Sequence, residues 1–313
     1  MRIGIVVDSA CDLPPEWLQA HDVKLLPVTV RIGDSTFVDL RDPAATLAFV
    51  ADHVAERGHT AETIAFPAER IKALFLDELV IDYDTVFCIT VTRNRSQIHE
   101  NATQASFGIL GEYKPVRARA GHTTPFALRI VDSQQVFAGQ GILPVEAVRL
   151  RDAGASAPEI RSRLEYLADR TYAYMVPRDL GYLRARIQHR GDRSVSLLSA
   201  LIGGALDIKP ILHCHRGDTG PVGKIRGFEP AAEKLLGFAA ARVRAGLLTP
   251  TLCLSYGGGL DALRRLPGYN ALVAACAEHN VERFETVMSM TGMVNVGAGS
   301  LTVGFAAPPH AFP

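Results

Sequence analysis

Five short stretches hold residue types and spacings that could do chemistry. Asp8-Ser9-Ala10 follows an apolar run, as a nucleophilic aspartate of a phosphotransferase would. Such enzymes usually need a second acid two residues on, and Ala10 stands there, so a cap and loop is the favoured reading. Gly257-Gly258-Gly259 could cradle a phosphate at a helix N-terminus, but the GxGxxG spacing and the later acid are missing. Ser255 is not in a GxSxG elbow, which weakens an esterase reading. His213 and His215 fall on one face of a strand by the two-residue period, yet a metal would need a third ligand such as Asp218. Thr92-Arg93-Asn94-Arg95-Ser96 differs in kind: two arginines sit where a strand ends and a helix opens, a place that attracts anions.

The elements that position these stretches alternate. Ile3-Gly4-Ile5-Val6-Val7 and Thr85-Val86-Phe87-Cys88-Ile89-Thr90-Val91 read as buried strands of a parallel sheet. Leu25-Leu26-Pro27-Val28-Thr29-Val30 reads as one more strand, with Gly33-Asp34 as a hairpin turn after it. Leu128 to Asp132 is a further strand, and Asp12 is placed to cap a helix near Pro14 and Pro15. Helices are expected at about 43–57, 68–79 and 96–110. Strand and helix in alternation predict an α/β layer over residues 1–157. From Thr171 the order becomes strand, helices, hairpin, a long helix near 228–244, a strand at Thr251 to Ser255, and closing strands. That order predicts an α+β domain over residues 158–313. Glu112 to Phe126 and Arg184 to Arg193 read as polar surface loops.

Composition limits the classes of function. With 313 residues, 48% hydrophobic and 21% charged, the chain is long and apolar enough for two ordinary globular domains. Its 33 basic and 33 acidic residues cancel, which argues against nucleic acid or an anionic membrane as a partner. Five scattered cysteines without a CxxC pair indicate neither a disulfide framework nor a cysteine zinc site, and fit a reducing cytoplasm. Met1-Arg2 leads straight into a strand, with no room for a signal-peptide core. The longest apolar run, about Val195 to Leu206, is too short to span a bilayer, so no membrane insertion is expected.

Several motifs in order carry a family resemblance. They are Val7-Asp8-Ser9 with Asp12-Leu13-Pro14, Pro27-Val28-Thr29-Val30, Val131-Asp132-Ser133, and Asp179-Leu180 with Tyr182-Leu183. Leu201-Ile202-Gly203, then the pair Gly203-Gly204 leading into Ile208-Lys209-Pro210-Ile211-Leu212, complete them. In this order the chain resembles the DegV family of bacterial fatty-acid-binding proteins. The resemblance implies two domains, an N-terminal three-layer domain with a parallel sheet and a C-terminal α+β domain. It also implies a long-chain fatty acid in a tunnel between them, and no cofactor and no catalysis by this chain. The carboxylate would be presented to a separate ATP-dependent kinase of the dihydroxyacetone-kinase type, the catalytic subunit of a fatty acid kinase. A sixteen-carbon tail would contribute a gross burial term of about 12 kcal/mol, at about 0.8 per methylene, before ordering and association costs. The head group decides selectivity, because a carboxylate is not buried without donors or a counter-charge.

At the head group this sequence departs from the family pattern. Glu62-Thr63-Ile64-Ala65 stands at the usual Thr-Ser-Gln-Pro loop, Thr92-Arg93 at a Ser-Ser turn, and Asn295 at a histidine. One reading gives Arg93 the carboxylate, with Thr63, Thr92 and Asn295 completing the shell and Arg95 and Ser96 adding to an anion-attracting turn. The other pairs Glu62 with Arg93 and leaves an uncharged ligand. Two rivals to the carrier stand beside these: an α/β enzyme with Asp8, Ser9 and the Gly257–Gly259 loop around a phosphorylated substrate, and a regulatory lipid sensor.

Overall fold

The computed structural model describes residues 1–54, 58–189 and 207–313. The apolar run at about Val195 to Leu206, the Leu201-Ile202-Gly203 motif and the Gly203-Gly204 pair lie outside the described residues. The first half contributes β1 (Ile3–Asp8), β2 (Val23–Leu26), β3 (Val28–Ile32), β4 (Ser35–Asp39), β5 (Glu62–Ala65), β6 (Thr85–Thr90) and β7 (Ala127–Asp132). The second half contributes β8 (Thr171–Val176), β9 (Ile208–His215), β10 (Asp218–Arg226), β11 (Thr251–Tyr256), β12 (Glu282–Val287) and β13 (Leu301–Ala306).

Strands β2-β1-β6-β7 form an all-parallel sheet, as the continuous apolar runs of β1 and β6 demand. Successive side chains point to opposite faces. Ile3, Ile5, Val7, Phe87 and Ile89 meet the helices Ile142–Asp152 and Ala157–Ala168, while Val6, Val86 and Cys88 meet Ala68–Leu74 and Ile98–Gly108. Three layers result. The first of these clusters also takes in Cys253, Phe284 and Ala306, so the two middle helices fill the space between this sheet and the next.

The second sheet runs β10-β9-β8-β13-β11-β12, antiparallel except for the β11–β12 pair. Helix Phe228–Ala245 covers one face through Leu235, Leu236, Ala239 and Val243. The other face turns toward the first half. There β13 comes so near the turn Phe137–Gly139 that a Cβ on Gly304 would lie 2.5 Å from the Ala138 backbone. The parallel sheet thus precedes residue 157 and the mixed sheet follows it. We propose to keep the domain division at 157 and 158 on that ground.

Four expectations are corrected. The strand over Leu25 to Val30 is two strands: Pro27 has no N–H to continue a ladder, and the chain leaves the parallel sheet there. β3 enters a small separate sheet, β4-β3-β5, with the Val28 N–H donating to Ser9 Oγ at 2.9 Å. Glu112 to Phe126 is no mere loop. It holds the helix Tyr113–Arg119, whose buried Arg117 donates to the Val80 and Tyr83 carbonyls at 2.7 and 2.6 Å and so closes the end of the short helix Val80–Asp82 that leads into β6. Arg184 to His189 is likewise helical, in Leu180–His189. Asp12 caps no helix; its carboxylate accepts from the Ser289 N–H at 2.9 Å and from Ser255 Oγ at 2.6 Å.

Candidate functional site

A largely apolar cavity lies between the mixed sheet and the loops at the carboxyl end of the parallel sheet. Water-sized molecules could occupy about 180 Å³ of it. The strand register explains its wall: Pro221, Leu212, Met175 and Thr302 stand in one row across β10, β9, β8 and β13. Thr219, Cys214 and Ala173 form the row beside it. Burial pushes the Cys214 thiol up to about 12, so this sulfur is a neutral wall group. Ala10, Val28, Val91 and Val136 close the cavity from the first half.

One polar group in the wall is built around Arg186. The helix Leu180–His189 turns Leu183, Arg186 and Ile187 to the cavity, a spacing of three and four residues that keeps them on one face. Arg186 is 2% exposed. Its Nη2 donates to Asn295 Oδ1 at 3.1 Å and its Nη1 to the Ala61 carbonyl. Asn295 in turn donates to the Thr291 carbonyl at 2.8 Å, one turn back in the helix Met290–Val296. Thr291 lines the cavity and is buried, and its Oγ1 has no hydrogen-bond partner among the described residues. A buried hydroxyl without a partner costs on the order of 1–3 kcal/mol. A ligand oxygen would remove that cost.

A second polar group comes from the turn after β6. Thr92 is fully buried and lies outside the wall; its carbonyl accepts from the Arg95 N–H at 3.0 Å and shapes the turn. Arg95 and Ser96 reach the wall, and Arg95 Nη2 donates to Thr219 Oγ1 on β10. Gly217, at φ +78°, packs the tip of the β9–β10 hairpin on this turn, where a Cβ would lie 2.7 Å from Thr92 Oγ1. Only a residue without a side chain fits that approach.

The residues expected at the head group therefore separate. Thr63 and Asn295 line the cavity. Glu62, next to Thr63 on β5, points outward by strand alternation and pairs with Arg31, not with Arg93. Arg93 is 72% exposed at its side chain, faces away from the wall and pairs with Asp132 at 3.4 Å. The cation that does line the cavity beside Thr63 and Asn295 is Arg186. Its signal in the sequence was the Leu183-Arg186-Ile187 spacing, hidden inside a stretch read as a loop. Thr291 carries no comparable signal.

The other motifs resolve structurally. Asp8 is fully buried, and its carboxylate accepts from the Val91 N–H at 2.6 Å, the Ala10 N–H at 2.9 Å and Gln140 Nε2 at 3.2 Å. Burial raises its pKa from 3.8 to about 6 despite these donors. Ser9 Oγ donates to the Asp39 carbonyl at 2.6 Å. Gly257 is tied to Ser300 and Gly299 by backbone bonds of 2.8 and 2.7 Å. His213 and His215 do share a face, the one turned to Tyr174 and Tyr172, with His215 stacked on Tyr172 at 4.0 Å. Among the described residues no cluster of three metal-ligating side chains occurs, and no helix is long and apolar enough to cross a membrane.

A parallel sheet and a mixed sheet with a largely apolar cavity between them place the chain among two-sheet α/β proteins. The chain belongs to the DegV family, whose model, described as an uncharacterised protein family, matches residues 2–307. A DegV domain-containing protein of Xanthomonas axonopodis pv. citri is 61% identical over 312 residues, covering 100% of this chain and 99% of that one. A protein named fatty acid-binding protein from Thermotoga maritima is 26% identical over 242 residues, 75% of each chain. Among solved structures, DegV of Bacillus subtilis, described as a fatty acid binding protein, superposes with TM-score 0.75 at 21% identity over 98% of this chain and 100% of that one. A stearic acid-binding protein of Eubacterium ventriosum gives TM-score 0.77 at 21% identity over 97% and 98%. At such identity these structures establish the fold.

Proposed function

We propose that this protein is a carrier of one long-chain fatty acid, held between its two halves with the carboxylate at Arg186, Thr63, Thr291 and Asn295. The observation that carries the reading is Thr291 Oγ1, buried and without a partner among the described residues, near a buried guanidinium in a largely apolar wall. An anionic head group would accept from the Thr291 hydroxyl close to a positive charge, and the tail gains the burial term of an apolar cavity. The fatty-acid binding named for the Thermotoga, Bacillus and Eubacterium proteins supports the same choice. Arg93 and Thr92 act at one remove, through the turn that carries Arg95. In place of the uncharged-ligand reading, the Arg31 partner of Glu62 favours an acid.

The carrier does no chemistry itself and works in the cytoplasm, presenting the head group to a separate ATP-dependent kinase. The three internal donors on Asp8 support this over the phosphate-enzyme rival, since they occupy the carboxylate that such chemistry would use. Mass spectrometry of what leaves the purified protein on denaturation tests the carrier: a long-chain acid is expected, and a phosphorylated metabolite would overturn it. Incubation with ATP, magnesium and hexadecanoic acid should yield no acyl phosphate trapped by hydroxylamine. Turnover by the isolated chain would replace the carrier with an enzyme.

A further inference from the structure

The face of the mixed sheet turned away from the cavity carries a cluster that lipid binding does not use. Tyr172 and His215 are register partners on β8 and β9, and their rings stack at 4.0 Å. The ring of His310, in the segment after β13, lies 4.2 Å from the same tyrosine. Both imidazoles are tied down. His215 Nδ1 bonds the Thr171 carbonyl at 3.1 Å. His310 Nδ1 donates to the Pro308 carbonyl at 2.8 Å, so its Nε2 accepts from the Tyr174 hydroxyl at 3.0 Å. They brace the Tyr172 ring, whose hydroxyl reaches the surface and has no hydrogen-bond partner among the described residues.

Three arginines surround that hydroxyl. Arg170 immediately precedes β8, and Arg216 immediately follows β9. Arg242 lies one turn beyond Phe238 on the helix Phe228–Ala245, and the Phe238 ring packs 5.7 Å from His310. Arg170 and Arg216 already have partners, the Tyr166 carbonyl and Asp169, and act through their charge alone. Arg242 differs. It makes no hydrogen bond or ion pair among the described residues, and its Nε is shut away from water. Burial raises the Tyr172 pKa, and the charges of Arg216, Arg170 and Arg242 all pull against it.

A half-buried guanidinium without an acid partner attracts an anion more strongly than a free surface arginine, because less water screens it. A tetrahedral oxyanion can accept from Arg242 and from the Tyr172 hydroxyl together, while Arg170 and Arg216 offset its second charge. A carboxylate, with one charge and two oxygens in a plane, uses less of that field. We propose that Arg242 and Tyr172 bind a phosphate dianion, free or at the end of a small phosphorylated molecule, on the sheet face opposite the cavity. The site stands apart from the fatty-acid reading. Such a half-exposed site exchanges with solvent, so its ligand is lost on purification and does not enter the mass-spectrometric test of the carrier.

Equilibrium dialysis of the full chain against radiolabelled inorganic phosphate, at constant ionic strength, tests the site. Saturable uptake approaching one equivalent per chain is expected, with little displacement by acetate. Stronger displacement by glycerol phosphate than by unlabelled phosphate assigns the group to an esterified ligand, and weaker displacement assigns it to the free ion. Arg242→Met should weaken uptake at least tenfold. Tyr172→Phe, which removes one hydroxyl and keeps the ring between its imidazoles, should weaken it several-fold. Thermal denaturation checks the folding of both variants, and the phenylalanine variant decides the matter if the methionine variant fails to fold. Absence of saturable uptake by the unaltered protein overturns the site and leaves the fatty-acid reading untouched. Uptake that survives in the folded variants overturns its assignment to Arg242 and Tyr172. Displacement by acetate as strong as by phosphate overturns the choice of a phosphate ligand.

Discussion

Arg186 Nη2 donates to Asn295 Oδ1 at 3.1 Å, and this bond joins the helix after β8 to the helix before β13 at the edge of the cavity. Both side chains thereby hold fixed orientations before any ligand arrives, which lowers the ordering cost of binding. Arg186→Met keeps most of the stem's apolar packing and removes the charge. Fatty-acid affinity should fall at least tenfold, since a charge-assisted hydrogen bond is worth about 1.5–3 kcal/mol. Arg186→Lys should recover part of it. Fluorescent fatty-acid displacement checks both variants, with thermal denaturation as the control for folding.

Arg93 gives the opposite expectation. Its side chain is largely exposed and pairs with Asp132 where solvent screens the charges. Arg93→Ala should leave retention within about twofold, because exposed ion pairs contribute only about 0–1 kcal/mol. Loss of the copurified lipid in this variant would move the head group back to the turn after β6.

Thr291 allows binding and stability to be pulled apart. Valine matches threonine in shape and removes the unpartnered hydroxyl. The delipidated Thr291→Val protein should be as stable as the parent or more stable, because a buried hydroxyl without a partner is lost. Its fatty-acid affinity should drop several-fold. A drop in both quantities would show the hydroxyl to be structural.

Asp8 should make stability depend on pH in an unusual direction for a carboxylate. Burial lifts its folded value from 3.8 to about 6, so between those limits the folded protein binds more protons here than the unfolded chain. Stability from this group is then fully present below pH 4 and declines as pH rises through 6, by about 3 kcal/mol at about 1.36 per unit. Asp8→Asn should flatten the pH dependence of unfolding in that window. Urea midpoints of both proteins between pH 4 and 7 provide the comparison.

Much of the fold was legible because its causes are local. The apolar runs at Ile3 to Val7 and Thr85 to Val91 can be buried on both faces only in a parallel sheet, and Gly33 at φ +56° makes the hairpin its sequence suggests. Pro27 was misread because a strand that changes sheets keeps its apolar pattern on both sides of the break. Of the site, Thr63 and Asn295 could be found through the family resemblance. Arg186 could not, because the resemblance supplies a histidine and hydroxyls there, and the polar run around it resembles a loop. Glu62 beside Thr63 shows the remaining gap: neighbours in sequence lie on opposite faces of β5, and only the pairing of β3 with β5 decides which is inside.

Asp12 and Arg41 should be the most sensitive pair outside the cavity. Their ion pair, 3.2 Å long, is buried in full, and its hydrogen bonds reach across to the second half. Asp12 accepts from Ser255 and from the Ser289 N–H, while Arg41 donates to Thr286 Oγ1 and the Val287 carbonyl at 3.3 Å. Removing one partner leaves the other charge buried and uncompensated, at a cost of about 3–5 kcal/mol. Arg41→Met should therefore lower the stability of the whole chain by that amount, and Asp12→Asn should do so too. Since these bonds hold the halves that bound the cavity, both variants should also release copurified lipid faster. Guanidinium unfolding and lipid-release kinetics check the pair, and normal stability in either variant would remove Asp12 and Arg41 as the link between the halves.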